Sequence, residues 1–177
     1  MGESRVSRVT EHIQDQEQPG ETTLLLRRRF GYRLSRLATQ WRREIDHDLR
    51  PFDLTDATWR PLYYLRILPT PVRQTDLARA MLVEAQSLVR LLDALEKKGL
   101  IERDVDPEDR RSKLVTLTPN GSVMSETVLG VADEVAARIL DGVSDEALKG
   151  CEAVFDQVWS GLMNDRLSCD DSGSAGA

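Results

Sequence analysis

Three polar residues, Gln86, Ser87 and Arg90, are of types that hydrogen-bond the base edges and phosphates of nucleic acids. At about 100° per residue they lie away from a stripe of leucines that an α-helix would bury. The stripe consists of Leu88, Leu91, Leu92 and Leu95. The pattern predicts a helix over about residues 84–98 with one polar face. Asp93 on that face has the wrong sign for a polyanion, so only the first two turns are expected to enter a major groove.

The segments on either side of this helix suit such a use. A shorter amphipathic helix is predicted over Gln74 to Met81, and Gln74 and Thr75 at its start could contact phosphates. After the longer helix, the alternation of apolar and polar residues predicts strands over Ile101 to Val105 and Lys113 to Leu117. The order is that of a helix-turn-helix followed by a β-hairpin wing.

The tip of the hairpin carries further candidate contacts. Arg110 and Arg111 could reach into a minor groove or lie along phosphates. Asp109 is expected to pair with a wing arginine and fix the hairpin, rather than to contact a ligand itself. The candidate nucleic-acid contacts are Gln74, Thr75, Ala85, Gln86, Ser87, Arg90, Arg110, Arg111 and Lys113.

Three segments at this spacing resemble the MarR family of bacterial winged-helix regulators. They are Ser87-Leu88-Val89-Arg90, Leu95-Glu96-Lys97-Lys98-Gly99-Leu100-Ile101 and Asp109-Arg110-Arg111. Trp41-Arg42, Ile45-Asp46-His47 and Leu54-Thr55 make the SlyA-like branch the closest match. The resemblance covers about residues 34–162 and implies a homodimeric, sequence-specific regulator of transcription that binds double-stranded DNA.

The same resemblance implies a ligand. SlyA-like proteins bind aromatic carboxylates such as salicylate in a cleft between the DNA lobe and the dimer helices, and Arg42, Trp59 and Tyr63 lie at matching positions. Such a ligand would release the protein from a pseudo-palindromic operator. Many relatives have His where Tyr63 stands, and core packing is the alternative role for Trp59 and Tyr63. Two further departures are Arg73, a poor N-cap, and Leu82, at a turn where relatives often have glycine.

The predicted fold is mainly α with a small β-hairpin wing (α+β). Residues 51–118 form the winged helix-turn-helix, and residues 21–50 and 119–163 form a helical dimerisation region. Apolar stripes on these outer helices need a partner, and a second copy would set two recognition helices roughly 34 Å apart. Residues 1–20 are predicted to be a flexible arm and residues 164–177 a flexible tail.

The net charge of −6 conceals an uneven distribution. Arginines crowd the segment from Arg27 to Arg50, whereas acids dominate the chain after Asn120. The sum therefore does not exclude DNA binding. The chain has no apolar run that could span a membrane and no signal-peptide pattern at Met1 to Arg5, so a cytoplasmic protein is expected.

Nothing in the sequence points to an enzyme, a cofactor or a metal. The histidines are His12 and His47, and neither has a second ligand at metal-binding spacing. Cys151 and Cys169 are expected to carry no chemistry. Two alternatives remain open: a winged helix used as a protein-interaction module, and a DNA-binding regulator that acts by competition without any ligand.

Overall fold

The computed structural model describes the backbone of residues 21–172 and the side chains of residues 23–164. The predicted arm, residues 1–20, lies outside the described residues. In chain order the elements are α1 (Glu21–Leu49), a 3₁₀ turn (Arg50–Phe52), α2 (Asp56–Ile67), β1 (Val72–Arg73), α3 (Gln74–Met81), α4 (Ala85–Lys97), β2 (Ile101–Val105), β3 (Lys113–Leu117), α5 (Pro119–Ile139) and α6 (Asp145–Ser172). The predicted fold class, mainly helical with a hairpin wing, is confirmed.

The described chain forms two compact units that divide within α5, between Ala132 and Asp133. The first unit holds α1 to β3 and the beginning of α5, and therefore contains the whole helix-turn-helix and wing. The second unit holds the end of α5 and α6.

The core of the first unit forms where α2, α3 and α4 pack together. On α4 the predicted stripe is confirmed, because Leu88, Leu92 and Leu95 are fully buried and Leu91 is half-buried. Leu62 of α2 is fully buried as well. Burial of such leucines stabilises a domain by roughly 1.5–3 kcal/mol per side chain, so α4 is held through its apolar face while its other face stays free.

The wing belongs to a three-stranded antiparallel sheet with β3 in the centre. β2 pairs with β3 from Ile101 opposite Leu117 to Val105 opposite Lys113, as a hairpin does. On the other side of β3, Val72 pairs with Val115. This short strand β1 was not predicted, because two residues carry no readable alternation and the pairing depends on a partner far along the chain.

The start of α5 is fastened to the end of α4 by Thr118. Its hydroxyl accepts a hydrogen bond from the N–H of Gly121 at 3.0 Å and donates one to the carbonyl of Gly99 at 2.7 Å. The N–H of Thr118 donates to the carbonyl of Leu100 at 3.1 Å. A side chain at Gly121 has no room, since a Cβ there would lie 1.7 Å from the Leu100 oxygen. Glycine at this position allows α5 to begin in close contact with the chain that follows α4.

In the second unit, a turn at Gly142, with φ of +78°, separates α5 from α6. Ser144 caps α6 by accepting a hydrogen bond from the N–H of Ala147 at 3.3 Å, as its position before the helix predicts. The predicted tail from residue 164 onward is instead helical as far as Ser172, so that boundary was wrong. None of the described helices is both long and apolar enough to cross a membrane.

Leu82 ends α3 in the left-handed conformation, with φ of +54°. Glycine favours this conformation, which costs other residues about 1–2 kcal/mol, and Leu82 recovers little by burial because it is 71% exposed. We predict that Leu82→Gly raises the free energy of unfolding by up to about 1 kcal/mol, less the entropy that glycine adds to the unfolded chain. Chemical denaturation would measure the change.

Gly99 provides the matched reverse substitution. Its φ is +66°, and a Cβ there would meet no atom within 4 Å, so Gly99→Ala introduces strain without a clash. It should lower the free energy of unfolding by about 1 kcal/mol. A loss of stability in Leu82→Gly equal to that in Gly99→Ala would show that the strain argument is wrong at Leu82.

Candidate nucleic-acid interface

The exposed face of α4 carries the predicted base-reading residues. Ala85, Gln86, Ser87 and Arg90 are all exposed in the first two turns of the helix. The leucines on the opposite side are buried, so the orientation of the helix follows from its apolar face. The structure therefore brings these four residues together on one accessible surface. We refer to α4 as the recognition helix.

The recognition helix is also anchored at its carboxyl end. The ammonium group of Lys98 donates hydrogen bonds to the carboxylate of Asp53 at 2.8 Å and to its carbonyl at 2.9 Å. The Lys98 contact lowers the pKa of the Asp53 carboxyl, so the pair is charged at neutral pH. The preceding helix is fixed in a similar way, since Arg60 of α2 donates to the carbonyl of Met81 at 3.0 Å.

At the start of α3, Thr75 is exposed and Gln74 is half-buried. Both lie in the first turn, where backbone N–H groups are free of intrahelical partners. The same turn holds Asp76, whose carboxylate accepts a hydrogen bond from Arg79 at 2.9 Å. This pair partly neutralises the acid beside the proposed phosphate contacts.

Asp109 supports the tip of the wing, but not in the predicted way. Its carboxylate accepts hydrogen bonds from the hydroxyl of Ser112 at 2.7 Å and the N–H of Arg111 at 3.0 Å. These two donors, the hydroxyl first, lower the pKa of the Asp109 carboxyl. The predicted ion pair with a wing arginine was wrong, because a hydrogen-bonded turn satisfies the carboxylate locally. Arg110, Arg111 and Lys113 are left exposed.

The base of the wing is held by Arg73, a residue that sequence reasoning noted only as a poor N-cap. Its Nε donates to Asp106 at 2.7 Å, and its Nη2 donates to Glu108 at 2.9 Å. Asp106 also accepts the N–H of Glu108 at 2.9 Å, and only 3% of its side chain is exposed. The Glu108 N–H and then Arg73 lower the pKa of the Asp106 carboxyl. Arg73 thus joins the start of α3 to the wing.

A second arginine, Arg103 on β2, joins the wing to the recognition helix. Its Nη2 lies 2.6 Å from the carboxylate of Asp93 and 2.5 Å from that of Glu96. Sequence reasoning recognised that Asp93 has the wrong sign for DNA, but it did not find this partner. The signal is a half-buried arginine in a strand that follows two acids one helical turn apart.

The predicted ligand residues are partly buried. Trp59 on α2 is 5% exposed, and its indole N–H has no hydrogen-bond partner among the described residues. Tyr63 is half-buried and packs edge to face with Tyr64. Arg42 is exposed on α1, a helix that contacts α2. The burial of Trp59 agrees with a core position, while its unpaired N–H leaves one polar group available.

One cavity, of about 540 Å³, lies away from these ligand residues, at the base of the wing. Pro69, Pro71, Pro107 and Leu114 form its apolar wall, and Arg73 with Asp106 forms its polar wall. Within residues 21–172, no group of His, Cys, Asp and Glu side chains is placed to hold a metal ion.

The geometry has counterparts among known proteins. A family model described as MarR family matches residues 52–112. The transcriptional regulator PA3341 is 33% identical, with a TM-score of 0.72, and the match covers 76% of this chain and 98% of that one. MepR of S. aureus, solved as a DNA complex, is 28% identical, with a TM-score of 0.68 and coverage of 75% and 97%. CouR of Rhodococcus jostii RHA1, bound to p-coumaroyl-CoA, is 26% identical, with a TM-score of 0.65 and coverage of 73% and 90%.

The helix-turn-helix, the exposed face of α4 and the hairpin together define a winged helix-turn-helix DNA-binding protein. The identity to a regulator covered almost throughout its length and the family match over the winged helix place it more narrowly. The chain belongs to the MarR family of transcriptional regulators. The SlyA-like branch stays a prediction.

The Arg73–Asp106 pair predicts a specific dependence of stability on pH. The Asp106 carboxyl has a folded-state pKa below its ordinary value, so its contribution is complete at neutral pH and is lost as the pH falls below about 4. We predict that Asp106→Asn lowers the melting temperature at pH 7 and that the difference from the wild type shrinks below pH 4.

Thermal unfolding across this pH range would test the pair. Asp104→Asn is the matched control, because Asp104 is an exposed acid on the same hairpin without an ion pair in the described part of the chain. It should leave the melting temperature nearly unchanged at every pH. A constant difference between Asp106→Asn and the wild type down to pH 2 would contradict the charge-based explanation.

Proposed function

We propose that the chain acts as a homodimer that binds a pseudo-palindromic operator and is released from it by a small aromatic acid. The observation that carries the DNA-binding part is the face of α4, where Gln86, Ser87 and Arg90 are exposed opposite fully buried leucines. Arg90 suits bidentate contact with guanine, and glutamine suits adenine. MepR, which has the same fold, is described in complex with DNA.

The wing would supply contacts that carry no sequence information. Arg110 and Arg111 are exposed at its tip, and Lys113 is exposed on β3. Cations at such positions bind phosphates and release counterions from DNA. Gln74 and Thr75 at the start of α3 would add phosphate contacts through backbone and side-chain donors.

The proposed homodimer is supported by apolar residues that the described chain leaves exposed. On α1 these include Leu26, at 60%, and Leu37, at 57%. On α6, Trp159 is 52% exposed and Leu162 is 53% exposed. Rows of large apolar side chains on soluble proteins usually mark an interface. A second copy related by a two-fold axis would cover them and place two recognition helices on successive major grooves.

Arg90→Ala tests the base-reading role of the recognition helix. We expect its affinity for the DNA upstream of its own gene to fall by about ten- to a hundredfold, because one good bidentate contact is worth about 1–3 kcal/mol. Affinity for random DNA of equal length should fall much less. Fluorescence anisotropy with both DNAs measures the ratio.

The double variant Arg110→Ala/Arg111→Ala is the matched contrast. It should weaken both DNAs alike and reduce the slope of log affinity against log salt by about 2, one for each phosphate contact. Equal losses on both DNAs for Arg90→Ala would exclude base reading. If the wild type shows no specific binding at low salt, the alternative of a protein-interaction module takes its place.

The ligand part of the proposal rests on Trp59 and on a relative. The buried indole N–H of Trp59 lacks a partner among the described residues, and a buried donor without an acceptor is destabilising. A phenolic or carboxylate oxygen would satisfy it, and Tyr63 one turn away would pack against an aromatic ring. CouR is described with p-coumaroyl-CoA, a thioester of an aromatic acid.

Arg42→Gln tests the carboxylate contact with salicylate as the probe. We expect salicylate to release the wild type from DNA and the variant to need about ten- to a hundredfold more, since a hydrogen bond to a charged group contributes about 1.5–3 kcal/mol. Arg43→Gln, at the adjacent exposed position on α1, should respond like the wild type. Equal responses of both variants would remove Arg42 from the site, and DNA binding indifferent to salicylate would favour regulation by competition without this ligand.

A further inference from the structure

The Arg103 cluster places a cation where the recognition helix carries its acids. Only 11% of the Arg103 side chain is exposed. Its Nη2 contacts Asp93 at 2.6 Å and Glu96 at 2.5 Å, whereas its buried Nε–H has no partner among the described residues. One nitrogen therefore holds two carboxylates, and these carboxylates in turn hold the guanidinium in place.

The positions of the two acids matter because of what lies next to them. Asp93 is one helical turn beyond Arg90 on α4, and Glu96 is one turn further. Contact with Arg103 keeps the pKa of the Glu96 carboxyl below its ordinary range, so Glu96 is ionised at neutral pH. Two bare carboxylates on this helix would repel the phosphates that the first turns approach, since like charges within a Debye length of about 10 Å are not fully screened.

We propose that Arg103 is a positioning residue for DNA binding that masks the charges of Asp93 and Glu96, and so allows the recognition helix to lie against a polyanion. This inference rests on the proposed DNA-binding function and adds a role for residues that were not among the candidate contacts. The masking is internal: Arg103 contacts the protein's own carboxylates and needs no contact with DNA. The same ion pairs join β2 of the wing to α4.

The test is a salt titration of DNA affinity with the full-length protein. Arg103→Gln should bind the operator DNA at least about tenfold more weakly than the wild type at low salt. The loss should shrink as salt rises, because ions screen the exposed carboxylates. Loss of helix position alone would instead weaken binding by the same factor at every salt concentration. That result would overturn the proposal.

A second variant separates masking from direct phosphate contact. In Arg103→Gln/Asp93→Asn/Glu96→Gln the carboxylates are neutral, so no mask is needed and affinity should return to within about threefold of the wild type. If Arg103 contacted a phosphate itself, the triple variant would stay as weak as Arg103→Gln. Arg103→Lys, which retains the charge, should keep most of the affinity and the wild-type salt dependence.

Arg66→Gln is the matched control for net charge and for the loss of an ion pair. Arg66 on α2 pairs with Glu126 at 3.3 Å, away from the recognition helix, and its removal should change affinity less than threefold. An equal loss in Arg66→Gln would attribute the effect to total charge and contradict masking. Absence of DNA binding by the wild type would overturn the proposed function, whereas wild-type binding without recovery in the triple variant would overturn masking alone.

Discussion

The wing stands in its position because the carboxylate of Asp106 is buried against the guanidinium of Arg73. A buried charge is tolerated only when it is paired and hydrogen-bonded, and Asp106 has both an ion pair and the N–H of Glu108. Apolar packing does not hold the far end of the hairpin, since Val105 at the end of β2 is 58% exposed. The wing is thus attached by directional polar contacts, which fix its angle to α3 as well as its distance.

The same principle recurs around the proposed DNA surface. Three acids near it, Asp53, Asp93 and Asp106, are each paired with a cation of the chain. In the described part of the chain, Arg90 and Arg110 have no ion pair, so they remain available for an outside anion. A net charge of −6 is therefore compatible with DNA binding, because the distribution of paired and unpaired cations matters more than their sum.

The local elements could be read from the sequence with little error. The bounds of α3, β2 and β3 agree with the prediction, because each carries a clear apolar period and is bounded by turn or cap residues. The polar face of α4 followed from the same periodicity. Family resemblance supplied the assembly of these parts and the proposed ligand residues, which periodicity alone does not give.

Features that depend on distant partners could not be read in this way. Strand β1 forms only because β3 offers it a free edge. The roles of Arg73 and Arg103 depend on carboxylates that the fold brings to them, and no spacing in the sequence distinguishes these arginines from solvated ones. Asp109 shows the opposite error: a long-range ion pair was expected where neighbouring donors were sufficient.

The contact between Gly121 and the carbonyl of Leu100 has a mechanical consequence. With no space for even one carbon atom between them, the first turn of α5 cannot slide past the end of the recognition helix. The hydrogen bonds of Thr118 to Gly99 and Leu100 restrict rotation at the same place. A displacement of the beginning of α5 must therefore carry the carboxyl end of α4 with it, as a lever carries its load.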